Sequence, residues 1–371
     1  MAEDLLTALR DELNGVDEEL VRLVGRRQHL VAEIGRTKQQ SGRGTRDYAR
    51  EKVVVERARA LATELGIDPG AVAALFEGLI RASLAVQERD RIVQRAGGLG
   101  RPVLVIGGAG LMGRWFTSFL DAQGYHVTIA DPGGPVEGFA SVDDWATLDL
   151  DAFYMVLVAT PMRAANDILE ALALRSPSAI VLEISSLKEP VRPGLDSLVK
   201  AGVAVASLHP MFGPGVDLLS GRHVVLIDLG HKPALEAARA LFEDTMATLV
   251  EMELEQHDRA MAFVLGLSHA INIVFGDTLA RSGHRAERLG EVSSTTFARQ
   301  LAVAGEVAHE NPHLYFEIQA LNPNTIDVLD ALSESVDRLR RQIAEGAQPE
   351  FVAMMEGRRE FLRARAERMK G

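Results

Sequence analysis

Three glycines with a defined spacing are the first residues of this sequence whose arrangement suggests chemistry. Gly108, Gly110 and Gly113 follow a short apolar run at residues 103 to 106 and open an amphipathic helical pattern. The G-x-G-x-x-G spacing permits a tight turn, lets the backbone approach a pyrophosphate, and lets the helix pack closely on its strand. The pattern therefore predicts a dinucleotide-binding turn between a strand and a helix.

Five further positions around this turn are expected to contact the same ligand. Leu111 and Met112 begin the helix, whose N-terminus offers unpaired N–H groups and a positive dipole end to phosphates. Asp131 ends the next apolar strand pattern, where its carboxylate would accept the hydroxyls of an adenosine ribose. Because this carboxylate would repel a 2′-phosphate, we predict NAD rather than NADP as the cofactor. Thr160 and Pro161 follow a third apolar run and are expected at the same edge of the sheet.

A second group of polar residues lies on apolar helical stripes near the N-terminus. The pattern from Leu5 to Lys38 predicts one helix, with Arg27 and Lys38 on its apolar stripe. A buried cation is costly unless an anion pairs with it, although a single arginine often reaches solvent along the helix edge. Two cations on one stripe favour an anion-binding pocket. The helix would be about 50 Å long, too long to bury itself in one small domain, so an interleaved homodimer is expected.

Two more helices complete this segment. The second is expected to begin after Asp47, a good N-cap residue, with Arg50 on its apolar face. The third begins after Asp68, which precedes a proline, and its apolar stripe continues into Ser83 and Gln87. Three helices whose apolar stripes end in polar groups predict an all-helical domain with a polar internal pocket.

Residues 5 to 88 resemble the all-helical chorismate mutase domain of the bifunctional mutase enzymes. The resemblance implies that the substrate carboxylates and ether oxygen are held by four cations, namely Arg10 from the other subunit, Arg27, Lys38 and Arg50. It also implies that the ring hydroxyl is held by Asp47 and Glu51, and that Ser83 and Gln87 complete the site. A pericyclic rearrangement needs no nucleophile, only a compact conformer and positive charge where the C–O bond breaks.

Polar turns follow three later apolar runs, at Thr160-Pro161, at Ser185-Ser186 and at His209-Pro210. Ligands of open parallel sheets bind at the carboxyl ends of the strands, so these turns are the predicted site. A lone histidine is usually an ordinary turn residue. His209, however, directly follows an apolar strand pattern and precedes a segment rich in proline and glycine, which favours a functional role.

Residues 102 to 371 resemble prephenate dehydrogenase through the motifs GGAGLMG, SSLK, LHPMFGP and NPHLY and through HD and SH pairs at 257 and 268. The resemblance implies that His209 takes the proton of the ring C4 hydroxyl as hydride leaves C4 for NAD, followed by loss of CO₂. Ser186 would orient the hydroxyl or the nicotinamide, and His257 and His269 would contact the substrate. Histidine suits a base that works near neutral pH.

One position departs from that family's pattern. The family's substrate-anchoring arginine would lie six residues before Pro312, where this chain has Glu306. Arg299 could replace it, although it lies nearly two turns earlier on the predicted helix and, we expect, at a different register. An acid facing the pocket would instead suit a 4-amino-4-deoxy analogue, whose amine is cationic.

The sequence therefore predicts a bifunctional enzyme of aromatic amino acid biosynthesis. It would rearrange chorismate to prephenate and then, with NAD, form 4-hydroxyphenylpyruvate for tyrosine biosynthesis. One alternative is the same chemistry on 4-amino-4-deoxychorismate, giving 4-aminophenylpyruvate. Another is a catalytically idle sensor of NAD and an aromatic ligand, although the intact mutase residues and His209 argue against it.

Length and composition agree with a multidomain enzyme. The 371 residues, 47% of them hydrophobic, suggest two or three domains with sizeable cores. We predict a mutase-like helical domain (1–92), a linker (93–101), a Rossmann α/β domain (102–252) and an all-helical dimerisation and substrate subdomain (253–371). The net charge of −12 argues against nucleic acid or an anionic membrane as a partner. No cysteine is present and no metal is predicted, and without a signal peptide a cytoplasmic protein is expected.

Overall fold

The computed structural model describes residues 2–40, 47–95 and 97–368. Its strands are β1 (Pro102–Ile106), β2 (His126–Ala130), β3 (Ala140–Val142), β4 (Met155–Val158), β5 (Ile180–Glu183), β6 (Val205–Pro210), β7 (His223–Ile227) and β8 (Thr248–Glu251). They form one sheet in the order β3-β2-β1-β4-β5-β6-β7-β8. Neighbouring strands are parallel except β6 and β7, which are antiparallel.

Helices precede, connect and follow these strands. Before the sheet lie α1 (Ala2–Gln40), α2 (Tyr48–Glu64) and α3 (Pro69–Gln94), and between its strands lie α4 (Leu111–Ala122), α5 (Met162–Arg175), α6 (Arg192–Lys200) and α7 (Lys232–Glu243). After it come α8 (Leu254–Met261), α9 (Ser268–Arg281), α10 (Ala286–Glu291), α11 (Thr295–His309), α12 (Pro312–Ala320), α13 (Thr325–Glu345) and α14 (Gln348–Arg368). A π-helical segment, Ala262–Leu267, joins α8 to α9. The predicted fold class is confirmed: helices, then a mostly parallel α/β sheet, then helices.

The chain divides into two compact units. The first contains Met1–Thr160, Asp167–Ser185 and Gly194–Met252, and the second contains Pro161–Asn166, Ser186–Pro193 and Glu253–Gly371. The first unit therefore includes both α1–α3 and the sheet, whereas the second includes the C-terminal helices and the turn that follows β5. The helix α3 continues through Gln94, into the segment that the sequence suggested as a linker.

Local sequence explains where the early helices begin. Asp47 caps α2 by accepting the N–H of Arg50 at 3.0 Å, as predicted. Asp68 caps α3, and Pro69 occupies the first turn, where its missing N–H has no cost. Both boundaries lie where the sequence placed them because caps depend on neighbouring residues alone.

The sheet contains three strands that the apolar pattern did not predict, β3, β7 and β8. The strand β7 pairs with β6 so that His209 lies opposite Val225 and Pro210 opposite Val224. The expectation that His209 occupies a turn after its strand is therefore wrong, because the strand continues through Pro210. Pairing with β7 extends β6 beyond the apolar run that marked it in the sequence.

Aromatic packing fixes α4 and α7 on the sheet. The rings of Phe119 and Phe242 stack with centroids 5.1 Å apart, and Trp115 stacks on Phe119 at 4.8 Å. Ile92 of α3 packs against the same core. This core holds the helix that follows the glycine turn and also receives the end of α3.

Two helical segments have the length and apolar composition that a membrane span would require, Pro69–Gln94 and Leu254–Arg281. Length and composition alone are weak evidence of a span. The first segment buries Ser83, Gln87 and Glu88 in the first unit, where they make hydrogen bonds to other elements. It is therefore packed as a helix of a folded domain.

Candidate active sites

Side chains predicted for a mutase site meet between α1 and α3. Nη1 of Arg27 donates to the carbonyl oxygen of Leu79 at 3.0 Å and to Oγ of Ser83 at 2.5 Å. One turn further along α3, Nε2 of Gln87 donates to the carbonyl oxygen of Val31 at 2.8 Å. Ser83 and Gln87 are buried, as expected from their places on the apolar stripe. Arg27, Ser83 and Gln87 therefore occupy one polar pocket between the two helices.

Close packing of α1 against α3 depends on a glycine that the sequence did not single out. A Cβ on Gly35 would lie only 3.2 Å from Cγ of Gln87. Glycine within a helix reduces stability relative to alanine, but α1 also contains Gly15 and Gly25, which have no neighbour within 4 Å, so the sequence alone did not distinguish Gly35. Burial lowers the pKa of the Arg27 guanidinium, the effect expected for a cation partly withdrawn from water.

The other residues predicted for the mutase site are either half-buried (Lys38 and Glu51) or exposed (Arg10, Asp47 and Arg50). Arg50 was expected to point inward, but the core-facing residues of α2 are Ala58 and Ala62. That expectation is wrong for the single chain, because only Ala58 of the apolar stripe to which Arg50 was assigned is buried, while Leu61 and Leu65 of the same stripe are exposed.

The glycine turn of the first unit has a geometry that side chains would prevent. Gly107 has a φ of +85°, and a Cβ there would lie 2.6 Å from the carbonyl oxygen of Ala159. A Cβ on Gly113 would overlap the carbonyl oxygen of Gly107, and one on Gly108 would collide with Ile129. Gly107 was missed at the sequence level, although it is the additional glycine directly before the motif.

Asp131 holds the glycine turn from the end of β2. Its Oδ2 accepts the N–H of Ala109 at 3.0 Å, and its Oδ1 accepts the N–H of Gly133 at 2.7 Å. The carboxylate therefore lies beside the turn, at the position where a ribose acceptor was predicted.

Three of the remaining predicted cofactor residues, Leu111, Met112 and Thr160, lie at or beside the same turn in the first unit. Gly110 is the N-cap of α4, so Leu111 and Met112 form its first turn and leave the helix N–H groups available. At the end of β4 the Thr160 hydroxyl is buried and, among the described residues, has no hydrogen-bond partner. A turn open to backbone approach, a helix N-terminus and a neighbouring carboxylate are the groups that a dinucleotide requires. Pro161 begins the second unit.

The His209 side chain is buried near the end of β6, where a second buried group was missed at the sequence level. Glu183, at the end of β5, accepts the hydroxyl hydrogen of Ser207 at 2.7 Å and also the N–H of Ser185. Ser207 and His209 lie two residues apart and so on the same face of β6. The Glu183 carboxylate therefore fixes the strand that carries His209. The only sign of Glu183 in the sequence was an acidic residue within an apolar run.

In the second unit, Asp258 holds the turn that carries Ser186. It accepts the N–H groups of Lys188 at 2.9 Å and of Glu189 at 2.8 Å, and its Oδ1 lies 2.6 Å from Nδ1 of His257. Burial would raise the pKa of Asp258, but these hydrogen bonds bring it below its usual value. The His257 ring is fully buried and bonded to this carboxylate, an arrangement that favours orienting Asp258 over direct contact with substrate.

The motifs around His269 and Tyr315 meet in the same unit. Their rings stack with centroids 4.1 Å apart. His269 lies at the start of α9, directly after the π-helical segment. Nδ1 of His269 is buried and has no hydrogen-bond partner in the described part of the chain, and burial lowers the pKa of the ring. A buried nitrogen without a partner is costly, so His269 is a candidate for contact with a ligand.

Arg299 and Glu306 lie on one uninterrupted helix, α11. Seven residues are about two helical turns, so the two side chains project from the same side of α11. The expectation that they differ in register is therefore wrong. Both side chains are exposed in the described chain.

Three family models match the chain in the predicted order. Chorismate mutase type II matches residues 9–88, the nucleotide-binding domain of prephenate dehydrogenase matches residues 138–251, and the prephenate dehydrogenase dimerization domain matches residues 253–357. The nucleotide-binding match begins after the glycine turn, whose assignment therefore depends on the geometry described above.

Similar proteins extend over most of the chain. The T-protein of Enterobacter agglomerans is 29% identical over 94% of this chain and 90% of its own, and that of Haemophilus influenzae is 25% identical over 90% and 86%. A 4-amino-4-deoxyprephenate dehydrogenase of Streptomyces pristinaespiralis is 28% identical over 70% of this chain and 90% of its own. The crystal structure of prephenate dehydrogenase from A. aeolicus with hydroxyphenyl propionate and NAD⁺ covers 69% of this chain and 95% of its own, with a TM-score of 0.56 and 22% identity. At that identity the structural likeness supports the fold.

The folds, the glycine turn and these matches together define an enzyme in which a chorismate mutase domain precedes an NAD-binding dehydrogenase domain. The chain belongs to the bifunctional chorismate mutase/prephenate dehydrogenases. It is both an isomerase that converts chorismate to prephenate and an oxidoreductase that decarboxylates prephenate with NAD. The predicted function and cofactor are confirmed, and neither the amino-substrate alternative nor the idle sensor is favoured.

Proposed function

We propose that the two reactions occur at separate sites of a cytoplasmic homodimer, with His209 as the base of the second reaction. The observation that carries the proposal is that the two polar centres are built on different elements of the first unit. Arg27 meets Ser83 between helices α1 and α3, whereas the buried His209 lies on strand β6. Each centre has the residue types that its reaction requires.

At the mutase site, positive charge stabilises the developing negative charge on the ether oxygen. Arg27 is held in place by Leu79 and Ser83, so it loses little freedom when an anion binds. We assign the same electrostatic role to Lys38 and Arg50, and to Arg10 a contact with the partner's site. Gln87 would donate to the ether oxygen, while Asp47 and Glu51 hold the ring hydroxyl.

At the dehydrogenase site, His209 takes the proton of the C4 hydroxyl, and Ser186 orients that hydroxyl. NAD, when bound at the glycine turn, supplies the hydride acceptor. Glu183 and Asp258 are positioning residues, since each carboxylate fixes a backbone segment next to a proposed site residue. His269 contacts the substrate, and Arg299, on the same side of α11 as Glu306, pairs with a substrate carboxylate.

A homodimer is supported by apolar surface that the single chain leaves uncovered. On α1, Leu13, Leu20 and Ile34 are 58%, 50% and 52% exposed. Contiguous apolar surface of this kind marks an interaction site. The match to the prephenate dehydrogenase dimerization domain, at residues 253–357, supports a homodimer through a different part of the chain. Light scattering on the purified chain should give twice the chain mass, and a monomer at working concentration would contradict the dimer.

When chorismate is added with NAD and without prephenate, the purified chain should reduce NAD, because the product of the first reaction is the substrate of the second. The measurement is the appearance of NADH, with 4-amino-4-deoxychorismate at equal concentration in a parallel assay. We expect chorismate to be preferred by at least about tenfold in kcat/KM, the discrimination that one mispaired polar group produces. Preference for the amino compound would contradict the assignment of prephenate as substrate.

Replacing Asp131 with asparagine should raise the KM for NAD about tenfold, since the neutral amide forms weaker hydrogen bonds than the carboxylate. Asparagine also offers a single acceptor oxygen in place of two, which disturbs the bonds from Ala109 and Gly133. Initial-rate kinetics with varied NAD are the measurement. The matched control is Asp121→Asn on the exposed side of α4, which should leave this constant unchanged. Equal constants in the Asp131 variant and the wild type would exclude its ribose role.

A further inference from the structure

One buried carboxylate joins a mutase helix to the α/β part of the first unit. Glu88 lies on α3 next to Gln87 and is 3% exposed. Its Oε2 accepts the N–H of Leu219 at 2.7 Å, and its Oε1 accepts the N–H of Met246. Leu219 lies between β6 and β7, and Met246 lies between α7 and β8. A single side chain therefore contacts two backbone segments that are separated in the sequence.

The helix α3 uses different faces for its two contacts. Three residues of α3 form hydrogen bonds with α1: Leu79 through its carbonyl oxygen, and Ser83 and Gln87 through their side chains. The residues that meet the α/β part are Glu88, Arg91, Ile92 and Arg95, of which the two arginines donate to Asp244 at 3.3 and 2.7 Å. With 3.6 residues per turn these two sets occupy adjacent faces of the helix, which meet where Gln87 and Arg91 lie about one turn apart. A displacement of α3 would therefore move the mutase residues as well.

The segment that Glu88 contacts directly follows the strand of His209. Residues 211–222 connect β6 to β7, and in their middle the carbonyl oxygen of Val216 accepts from Nε1 of Trp115 at 3.0 Å. Trp115 belongs to α4, the helix that begins at the glycine turn. The 211–222 segment is therefore held by the cofactor helix at Val216 and by the mutase helix at Leu219.

We propose that Glu88 is a positioning residue shared by the two reactions. Building on the residue roles proposed above, it fixes Ser83 and Gln87 on one side and the segment after His209 on the other. A buried carboxylate is costly unless it is hydrogen-bonded, and both of its oxygens accept N–H groups across this junction. Burial raises the pKa of Glu88, and the two N–H donors and the charge of Arg91 offset this only in part, so its pKa stays above the usual value. The two N–H groups therefore reduce the cost of burying this side chain at the junction, and losing either of them would leave that cost uncompensated.

The test is the full chain with Glu88→Gln. Glutamine keeps the shape, but its NH₂ group would face one of the two N–H donors. We expect kcat for chorismate rearrangement and kcat for NAD reduction with prephenate each to fall about tenfold, because small displacements of catalytic groups are costly. The KM for NAD should not change, since Asp131 and its two N–H partners are untouched. Amide exchange at Leu219 and Met246 should become faster.

The matched control is Asp244→Asn, which weakens the arginine pairs at the same junction. These pairs are more exposed than Glu88, so both kcat values should stay within about twofold of wild type. Glu88→Asp keeps the charge with a shorter reach and should give a smaller loss of both activities. If the glutamine variant does not fold, the two kcat values of the aspartate variant test the proposal instead. Unchanged kcat values, loss of only one activity, or a loss equal to the loss of folded protein would overturn the proposal. Failure of the wild type in either reaction would instead count against the roles proposed above.

Discussion

Replacing His209 with asparagine should abolish most NAD reduction while chorismate is still consumed. Asparagine retains hydrogen-bonding capacity but cannot accept the hydroxyl proton, and loss of a general base reduces rates about 10²- to 10⁴-fold. The effect should appear in kcat with prephenate, because the base acts in the transition state for hydride transfer. The rearrangement should stay within about twofold of wild type, since pericyclic chemistry needs no proton transfer.

The matched control for this variant is His223→Asn, an exposed histidine at the start of the neighbouring strand β7. It should retain both activities. Product analysis from chorismate should show prephenate accumulating in the His209 variant. If chorismate consumption fell together with NAD reduction, the assignment of separate sites would be wrong. If neither changed, His209 would not be the base.

Features determined by neighbouring residues were predictable from the sequence. The glycine turn is one, because a Cβ on Gly113 would collide with backbone atoms of Gly107 and Gly108 in the same turn. The helix caps Asp47 and Asp68 are others, since each bonds to an N–H two or three residues ahead. The burial of Gln87 followed from helical periodicity alone.

The residues whose positioning role was not predicted act through partners that are distant in the sequence. Glu183 bonds to a residue 24 positions away, Asp258 to one 70 positions away, and Glu88 to two at 131 and 158 positions. Periodicity carries no information about such pairs, so each acid could be read as solvated or as an interruption of an apolar run. The extension of β6 through His209 was hidden for the same reason, because the antiparallel partner β7 supplies it.

Replacing Arg27 with alanine should lower the kcat of chorismate rearrangement about 10²- to 10³-fold, the effect of removing one donor that stabilises developing negative charge. Arg27→Lys keeps the charge but not the planar, forked geometry, so its loss should be intermediate. NAD reduction with added prephenate should remain within about twofold of wild type, because the glycine turn and His209 are unchanged. Measuring both reactions on one preparation separates a local loss from a loss of folded protein.

The neighbouring Arg26 provides the control, because it lies on the same helix but is exposed. Arg26→Ala removes the same charge from α1 and should leave the rearrangement unchanged. If both alanine variants lost activity equally, the net charge of α1 would be responsible, and the contacts of Arg27 with Leu79 and Ser83 would have no special role. If Arg27→Ala lost activity alone but also lost helix content, the arginine would serve folding. The expected combination is selective loss with unchanged helix content, since Arg27 is half-buried and its hydrogen bonds to α3 hold it in position for a substrate anion.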